Sequence, residues 1–323
     1  MERIIKTGIT WDAQGIVLEN YLAGRFTYRS LEEWRERIRA AEITVNGKTV
    51  PPEYVLALHD VVEYRPGDLE EPESELSFDI VHEDGELLVI AKPGNLCMHP
   101  SGPYFKHTLW YLLRERYGEV HFINRLDRET SGLVLAARDP KTAARMTKKL
   151  NEIGKSYLVM VHGELPDAIS ARGFLFDDNS SSVRKKRRFA PGDRPPAGAL
   201  KIESAWTEIR CLERKSGFSL AAAHLKTGRM HQIRATVFSY GFPVVGDKLY
   251  GVDENIFLKL RSDAVTEEDR AKLILPCQAL HSCSLRFRHP VTGGEMRFSL
   301  PLPEPWRQPP LPCWETRRIP DEP

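Results

Sequence analysis

Short apolar runs separated by turn residues recur from residue 78 onwards, and they predict more strands than helices. Two strands flank the turn "EDGE" in "FDIVHEDGELLVIAKP", and further strand candidates are "GLVLAAR", "SYLVMVHG", "SAWTEIRCLER", "GFSLAAAHL" and "CSLRFRHP". The helix candidates are "HTLWYLLRERYG", "PKTAARMTKKLNEIG", "RMHQIRATVFSYG" and "TEEDRAKLIL". Because strands often follow one another through short turns, this order favours an α+β domain. We expect a largely antiparallel or mixed central sheet flanked by helices, not a doubly wound parallel sheet.

The first 65 residues predict a separate small α/β domain. Ser30 and Glu33 have the spacing of a capping box, and Leu31, Trp34 and Ile38 fall on one helical face. In "ITVNGKTV", Asn-Gly between β-branched runs predicts a hairpin with a type I′ turn. The pattern resembles the small RNA-binding domain of the S-four ribosomal-protein type, although "HD" stands before the last strand where that family usually has "GD".

Composition shifts divide the rest of the chain. Residues 66–77, "PGDLEEPESELS", are acidic, contain two prolines and predict a linker. Residues 78–303 then form the larger domain, and the proline-rich residues 304–323 predict an extended tail. Residues 252–276 interrupt the larger domain; they either adjust its specificity or form a solvated helical excursion.

The totals exclude several classes of protein. The chain has 323 residues, a net charge of +1 and five scattered cysteines without a CxxC pair, so a disulfide framework or a zinc site is not expected. It has no signal-peptide pattern and no apolar run of membrane-spanning length. We therefore expect a soluble, cytoplasmic protein with reduced thiols and no membrane partner.

The stretch "HFINRLDRETSGLVLAAR", residues 121–138, holds the main candidate chemistry. Asp127 lies between Arg125 and Arg128, and nearby cations keep a carboxylate ionised by lowering its pKa. Taken alone, such a cluster is typical of a surface ion-pair loop.

Four further blocks, in order, change that interpretation. Together with "INRLDRETSGLVL" they closely resemble the signatures of the RluA-type pseudouridine synthases over about 215 residues. The departures are small: Asn124 stands where His is usual, Met230 where Thr is usual, and Thr236 where His is usual. The four blocks are "FDIVHEDGELLVIAKPGNLCMHPSG", "GKSYLVMVHGEL", "LKTGRMHQIRATVFSYGFPVVGDKLYG" and "LHSCSLRFRHPVTG".

The resemblance implies an enzyme that converts uridine in RNA into its carbon-linked isomer, without a metal, a nucleotide or any other cofactor. Asp127 matches the catalytic carboxylate, which either attacks the sugar or removes a proton from it. Tyr157 matches the tyrosine that stacks on uracil and helps to take the carbon-5 proton. Arg234 matches the arginine that pairs with the catalytic aspartate. We expect His231 to make a structural hydrogen bond.

The resemblance also implies an RNA-binding surface. Arg125 matches the arginine that fills the stack after the uridine is flipped out, although an ion pair with Glu129 is the simpler alternative. Arg229 is a further candidate for an RNA or structural contact. The basic run at residues 184–188 is interpreted as a mobile hairpin that grips phosphates. The full set of RNA-binding candidates is Arg125, Arg229, Arg35, Arg37, Arg39, Lys48, Arg184, Lys185, Lys186, Arg187 and Arg188.

RNA is therefore the expected partner of a chain that we expect to be monomeric. The family modifies large-subunit ribosomal RNA or transfer RNA, and an added N-terminal RNA-binding domain favours ribosomal RNA. Three alternatives remain open at this point: a transfer-RNA-specific synthase, a non-catalytic RNA-binding or chaperone protein on the same fold, and a hydrolase that uses Asp127 as its nucleophile and releases free base.

Overall fold

The computed structural model describes residues 3–26, 28–67, 70–262 and 264–316. These form two compact units, one of residues 1–73 with 99–111 and the other of residues 74–98 with 112–323. Asp68 and Leu69 of the predicted linker, Asp263 of the predicted insertion and residues 317–323 of the predicted tail lie outside the described residues.

The N-terminal unit packs two helices against a three-stranded sheet in the order β1-β3-β2. Ser30 and Glu33 form the predicted capping box, and Trp34 and Ile38 face the core while Leu31 is only half-buried. This confirms the predicted helix and its capping box. The elements are β1 (Ile5–Gly8), α1 (Leu18–Arg25), α2 (Leu31–Arg39), β2 (Ile43–Val45) and β3 (Val61–Tyr64).

The predicted hairpin is confirmed only at its turn. Asn46 and Gly47 both have positive φ, 52° and 75°, as a type I′ turn requires. The second arm does not continue as a strand, because β2 pairs with β3 instead. The side-chain oxygen of Asn46 accepts a hydrogen bond from Val61 N at 2.9 Å and so ties the turn to β3. His59, in the departure from "GD", has φ 70° in the left-handed region that favours glycine.

The predicted linker is partly anchored within this unit. The carboxylate of Glu71 accepts backbone hydrogen bonds from Phe105, Lys106 and His107 at 2.6–2.8 Å. Three donors on one carboxylate lower the pKa of Glu71 despite the opposing effect of burial. Residues 71–73 therefore belong to the first compact unit, and the division falls after Glu73.

The second unit is built on one eleven-stranded mixed sheet, which confirms the predicted α+β class. The main order is β10-β9-β11-β12-β8-β13-β7-β5-β4, with β14 beside β13 and β6 beside β7. The β13–β7 pairing is parallel and the other pairings are antiparallel. The strands are β4 (Asp79–Glu83), β5 (Leu87–Lys92), β6 (His121–Phe122), β7 (Ser131–Ala137), β8 (Gly154–His162), β9 (Ala168–Asp177), β10 (Arg187–Pro191), β11 (Glu203–Lys215), β12 (Phe218–Leu225), β13 (Leu280–Arg288) and β14 (Glu295–Ser299).

Two helices, α4 and α5, pack on this sheet, and α5 carries a predicted site residue. Central strands β5, β7, β8 and β12 are buried on both faces, as near-continuous apolar runs require. Alternate residues of β9 and β11 are buried, and α5 packs on β9, β10 and β11. The helices are α3 (Leu109–Tyr117, whose first turn belongs to the N-terminal unit), α4 (Pro140–Lys148), α5 (Gln232–Ser239), α6 (Asn255–Arg261) and α7 (Glu267–Leu273), with 3₁₀ turns at Leu150–Glu152 and Glu304–Arg307.

Two segments add to the sequence-based interpretation. Strands β9 and β10 were not among the strand candidates, although a hairpin was predicted at the basic run. The described part of the predicted extended tail is packed, because Trp306, Leu311 and Trp314 are each 6% exposed or less. Apolar side chains among the prolines explain this packing. No helix in the described part of the chain has both the length and the apolar character needed to cross a bilayer.

Candidate active site

Asp127 lies in the loop between β6 and β7, and backbone contacts hold that loop in a fixed conformation. Thr130 N donates to Asp127 O at 3.2 Å, closing a turn, and Gln278 Nε2 donates to the hydroxyl of buried Thr130. Gly132, with φ 112°, follows this turn, and a Cβ there would lie 2.2 Å from Ser282 O. Only glycine therefore permits β7 to approach β13 this closely, which explains the Thr-Ser-Gly sequence.

The buried side chain of Lys92 also holds this loop, through hydrogen bonds to backbone carbonyl oxygens. The ammonium of Lys92, whose residue is 2% exposed, donates to the carbonyl oxygens of Pro93, Leu96 and Arg128 at 2.6–3.0 Å. Burial lowers the pKa of Lys92 to about 7. Because Arg128 directly follows Asp127, this contact fixes the backbone that carries the carboxylate.

Arg234, from α5, joins two aspartates. Its Nη1 donates to Asp127 Oδ2 at 2.8 Å, and its Nε and Nη2 bind Asp247 Oδ2 and Oδ1 at 2.6 and 2.8 Å. The Asp247 side chain is 0% exposed, whereas that of Asp127 is 30% exposed. Asp247 therefore holds the guanidinium, and Asp127 is the carboxylate that a substrate can reach.

The positive charge of Arg234 determines the protonation state of Asp127 and Asp247. Burial alone would raise the pKa of Asp127, but the charge and the hydrogen bond of Arg234 outweigh it and keep that pKa below its usual value. The same balance lowers the pKa of Asp247, which also accepts hydrogen bonds from Leu249 N and Tyr250 N at 2.9 Å. Both aspartates are anions at neutral pH.

Tyr157 lies on β8, in register with Ala223 of β12 and Ser282 of β13. The residue is 6% exposed, and burial, with the nearby charge of Asp127 in the same direction, raises the pKa of Tyr157 well above its usual value. The phenol is therefore neutral, and it lies close enough to Asp127 to be affected by that charge.

Arg125 and Arg229 are both accessible to a ligand. Arg125 is exposed, and Glu129, its suggested partner, instead pairs with Arg128 at 3.0 Å and with Lys248 at 2.7 Å. Arg229 donates from Nε to Ser204 O at 3.2 Å. Asn124, in the place of the usual histidine, accepts from Leu135 N at 2.7 Å and donates to Leu133 O, so it ties the loop to β7.

The basic run does not present all five of its residues to solvent. Arg184, Lys185 and Arg188 are exposed, but Lys186 and Arg187 are only 4% and 5% exposed. Lys186 pairs with Glu254 of the segment predicted as an insertion. Arg187 pairs with Glu203 at 3.1 Å and donates to two backbone carbonyls. The prediction that Lys186 and Arg187 grip phosphates is therefore wrong, because carboxylates distant in sequence neutralise them within the fold.

Among the basic candidates of the N-terminal unit, three already have acidic partners. Arg35 pairs with Glu19 at 2.7 Å, and Arg37 pairs with Glu42 at 2.7 Å. The Arg39 side chain is 61% exposed, with Glu32 at 3.9 Å, and Lys48 is exposed.

Sequence reasoning did not assign functions to Asp247, Tyr250 and Lys92. The first two lie in the quoted "GDKLYG" and the third in "AKP", so each stood in a matched block. For Asp247, the available signal was an acid that directly follows a glycine within a matched block. Within the described residues, no cluster of three or more His, Cys, Asp or Glu side chains is arranged to hold a metal ion.

Comparisons with known proteins place this chain beside one family of enzymes. Residues 86–238 match the family described as "RNA pseudouridylate synthase". Ribosomal large subunit pseudouridine synthase D of Yersinia pestis is 31% identical over 301 residues, covering 89% of this chain and 87% of that protein. The enzyme of the same name from Xanthomonas campestris is 30% identical, covering 86% and 82%.

Solved structures support the fold. Human RNA Pseudouridylate Synthase Domain Containing 1 superposes with a TM-score of 0.56 at 22% identity, covering 72% of this chain and 86% of that one. Human RNA Pseudouridylate Synthase Domain Containing 4 gives 0.52 at 24% identity, covering 70% and 88%. With an accessible aspartate fixed by a buried arginine and relatives aligned over most of its length, this chain belongs to the RNA pseudouridylate synthase family, of the RluA type.

Proposed function

We propose that this protein isomerises specific uridines of large-subunit ribosomal RNA to pseudouridine, with Asp127 as the catalytic carboxylate. The observation that carries the proposal is the accessible Asp127, held as an anion by Arg234 at 2.8 Å. The relatives whose names specify the ribosomal large subunit favour that substrate over transfer RNA. We propose that the protein acts as a cytoplasmic monomer.

In the proposed reaction, Asp127 acts at the sugar of a flipped-out uridine. Its Oδ2 is held by Arg234, which leaves Oδ1 to attack the sugar or to remove a proton from it. The bond from the sugar to ring nitrogen breaks, the base rotates, and ring carbon 5 bonds to the sugar. Loss of the carbon-5 proton then restores the uracil ring, ring nitrogen 1 takes up a proton in exchange, and no free base is released.

Tyr157 has two functions in this proposal. Its ring packs against the uracil, and its hydroxyl assists removal of the carbon-5 proton. Because the pKa of Tyr157 is raised, the phenol stays neutral at rest. The hydroxyl oxygen of Tyr157 can therefore take the carbon-5 proton only if the hydroxyl gives up its own proton at the same time.

Arg125 is proposed to fill the space that the flipped uridine leaves. A planar guanidinium stacks on neighbouring bases, and the exposed position of Arg125 beside Asp127 suits this function. Unstacking a base costs a few kcal/mol of free energy, and stacking of Arg125 on the neighbouring bases then offsets part of that cost.

RNA contacts outside the pocket are proposed for exposed basic residues. Arg184, Lys185 and Arg188 are the exposed residues of the basic run, and Arg39 and Lys48 are the most exposed basic candidates in residues 1–65, the proposed S-four-like RNA-binding domain. Arg35 and Arg37 contribute less net charge, since glutamates bind them. Arg229 is proposed as a further RNA contact near the site.

Salt dependence distinguishes these contacts. The double variant Arg184→Gln/Arg188→Gln should weaken RNA binding and reduce the slope of log K against log salt by about 1.4–1.8, since each lost phosphate contact accounts for about 0.7–0.9. Arg39→Gln/Lys48→Gln should do the same if the N-terminal domain binds RNA. The exposed pair Arg210→Gln/Arg288→Gln, with the same charge change, serves as the control. A slope equal to that of the control would remove the tested pair from the interface.

The substrate is tested with RNA from a strain that lacks the gene. Ribosomal and transfer RNA would be incubated separately with the purified protein, and pseudouridine would be mapped chemically before and after. We expect new pseudouridine at discrete positions of large-subunit RNA and no free uracil. Modification confined to transfer RNA would reverse the substrate assignment, released uracil would indicate a hydrolase, and no new pseudouridine in naked RNA or in ribosomal subunits would contradict the proposal.

A further inference from the structure

The second carboxylate oxygen of Asp127 faces an imidazole. Arg234 holds Oδ2, and Nε2 of His231 lies 3.8 Å from Oδ1. His231 directly precedes α5 and has φ 58°, in the left-handed region. Such a conformation is uncommon for a residue other than glycine, so the surrounding structure holds this residue in place against backbone strain.

The Tyr250 hydroxyl contacts one ring nitrogen of His231, and the other contact of that hydroxyl favours one tautomer of the ring. The Tyr250 hydroxyl oxygen accepts a hydrogen bond from Arg187 N at 2.8 Å. Its own proton is then available, and Nδ1 of His231 lies 3.0 Å away. If Nδ1 accepts this proton, the neutral ring carries its hydrogen on Nε2. That hydrogen points towards Asp127.

The surroundings also keep the ring neutral. Burial and the charge of Arg234 lower the pKa of His231 to about 4, with Lys185 acting in the same direction and Asp127 and Asp247 opposing it. A neutral Nε2–H can donate to Asp127 without giving up its proton. An imidazolium at this position would compete with Arg234 for the carboxylate and could protonate it.

We propose that His231 is a positioning residue, held by Tyr250 in the Nε2–H tautomer, that donates to Asp127 Oδ1 as the ribose enters. The inference rests on the proposed function. The resting distance of 3.8 Å is too long for a hydrogen bond, and contacts of this kind tighten when substrate binds. Arg234 and His231 then hold one oxygen each and fix the carboxylate plane, while a lone pair of Oδ1 stays free to react.

The hydroxyl that selects the tautomer is itself held by the β9–β10 hairpin. Arg187 N is the first backbone donor of β10, and the preceding Lys186 lies over the rings of Phe238 and Tyr250, 4.8 and 5.8 Å from their centres. The buried part of the basic run therefore has a function other than phosphate binding. It anchors Tyr250, and through it His231.

Kinetics test the positioning. His231→Ala, His231→Asn and His231→Gln would be compared on the RNA that the wild type modifies. Asn tolerates the left-handed backbone but is too short to reach Asp127, whereas the longer Gln retains a donor. We expect His231→Ala and His231→Asn to lower kcat about 10²-fold while KM stays within about twofold of the wild type. His231→Gln should retain most of the wild-type kcat. The acidic limb of the pH profile of kcat should move to higher pH for Ala and Asn, because the hydrogen bond forms in the substrate complex and its loss raises the pKa of the carboxylate there.

The tautomer is tested without turnover. Nitrogen-15 spectra of the histidine rings, with the His231 signals assigned from the His231→Asn difference, should show a protonated Nε2 and an accepting Nδ1. Tyr250→Phe should shift these signals towards a mixture of tautomers. A protonated Nδ1 in the wild type, unchanged kcat in His231→Ala, or no recovery in a folded His231→Gln would each overturn the proposal. Absence of wild-type pseudouridine formation with the expected spectra would instead count against the proposed function.

Discussion

Asp127→Asn is expected to abolish pseudouridine formation, lowering kcat at least about 10³-fold, as is typical when a catalytic group is removed. Asparagine keeps the shape but loses the negative charge that the reaction needs at the sugar. Arg234 keeps its hydrogen bonds to Asp247, so the β6–β7 loop and helix α5 should stay in position. RNA affinity should stay within a few-fold of the wild type, since a lost negative charge does not weaken phosphate binding. Product mapping and filter binding with the same RNA measure the two quantities.

Asp167→Asn is the matched control for this substitution. The side chain of Asp167 is 95% exposed and pairs with Arg214 at the surface, so the same chemical change there should leave kcat unchanged. If Asp127→Asn formed pseudouridine at a rate near that of Asp167→Asn, Asp127 would not be the catalytic carboxylate. Loss of RNA affinity in parallel with activity would instead assign Asp127 to binding.

Arg234→Met is expected to abolish activity and to lower the free energy of unfolding at pH 7 by about 3–5 kcal/mol. Methionine replaces much of the volume but leaves Asp247, whose side chain is 0% exposed, as an unpaired buried charge. Asp127 loses the group that orients it. Chemical denaturation of Arg234→Met and of the exposed control Arg210→Met would measure the difference.

The pH dependence of stability gives this prediction a distinct signature. In the wild type, Asp127 and Asp247 have lowered pKa values, so their contribution is complete above the ordinary aspartate pKa of about 4 and is lost as the pH falls further. Without Arg234, we expect burial to outweigh the two backbone hydrogen bonds from Leu249 and Tyr250 and to raise the pKa of Asp247 above its unfolded value. Its contribution is then complete below about pH 4 and is lost as the pH rises.

Between about pH 4 and pH 7, Arg234→Met should therefore lose stability relative to Arg210→Met as the pH increases. Parallel stability curves for the two variants would mean that Asp247 is not left as a buried charge. A stable Arg234→Met with normal kcat would contradict the assignment of Arg234 altogether.

Much of the local structure could be predicted because its signals are local. The Ser30–Glu33 capping box, the Asn46-Gly47 turn and the apolar run of β5 each depend on residues close in sequence. The matched blocks also identified Asp127 and Arg234 as partners, although they lie 107 positions apart. That inference came from resemblance, since neither helical nor strand periodicity relates such distant residues.

The basic run shows where local reasoning failed. Five consecutive basic residues indicate a solvated, phosphate-binding segment, but Lys186 and Arg187 are buried. Their neutralising groups are Glu254 and Glu203, which other segments bring into contact. A charge run reports the number of charges, whereas the contacts between segments decide which of them face solvent.

The amino-acid sequence was enough to predict the class of the protein: an α+β chain with an aspartate, a tyrosine and an arginine in blocks typical of uridine isomerisation. Which atoms act together became visible only in the folded chain. In the fold, buried Asp247 binds Arg234, the Tyr250 hydroxyl contacts His231, and Asp127 is the more accessible of the two acids that Arg234 binds. The reason is physical: burial and hydrogen bonding depend on how sheet strands pair and how helix α5 packs, and these contacts join residues that local sequence patterns do not relate.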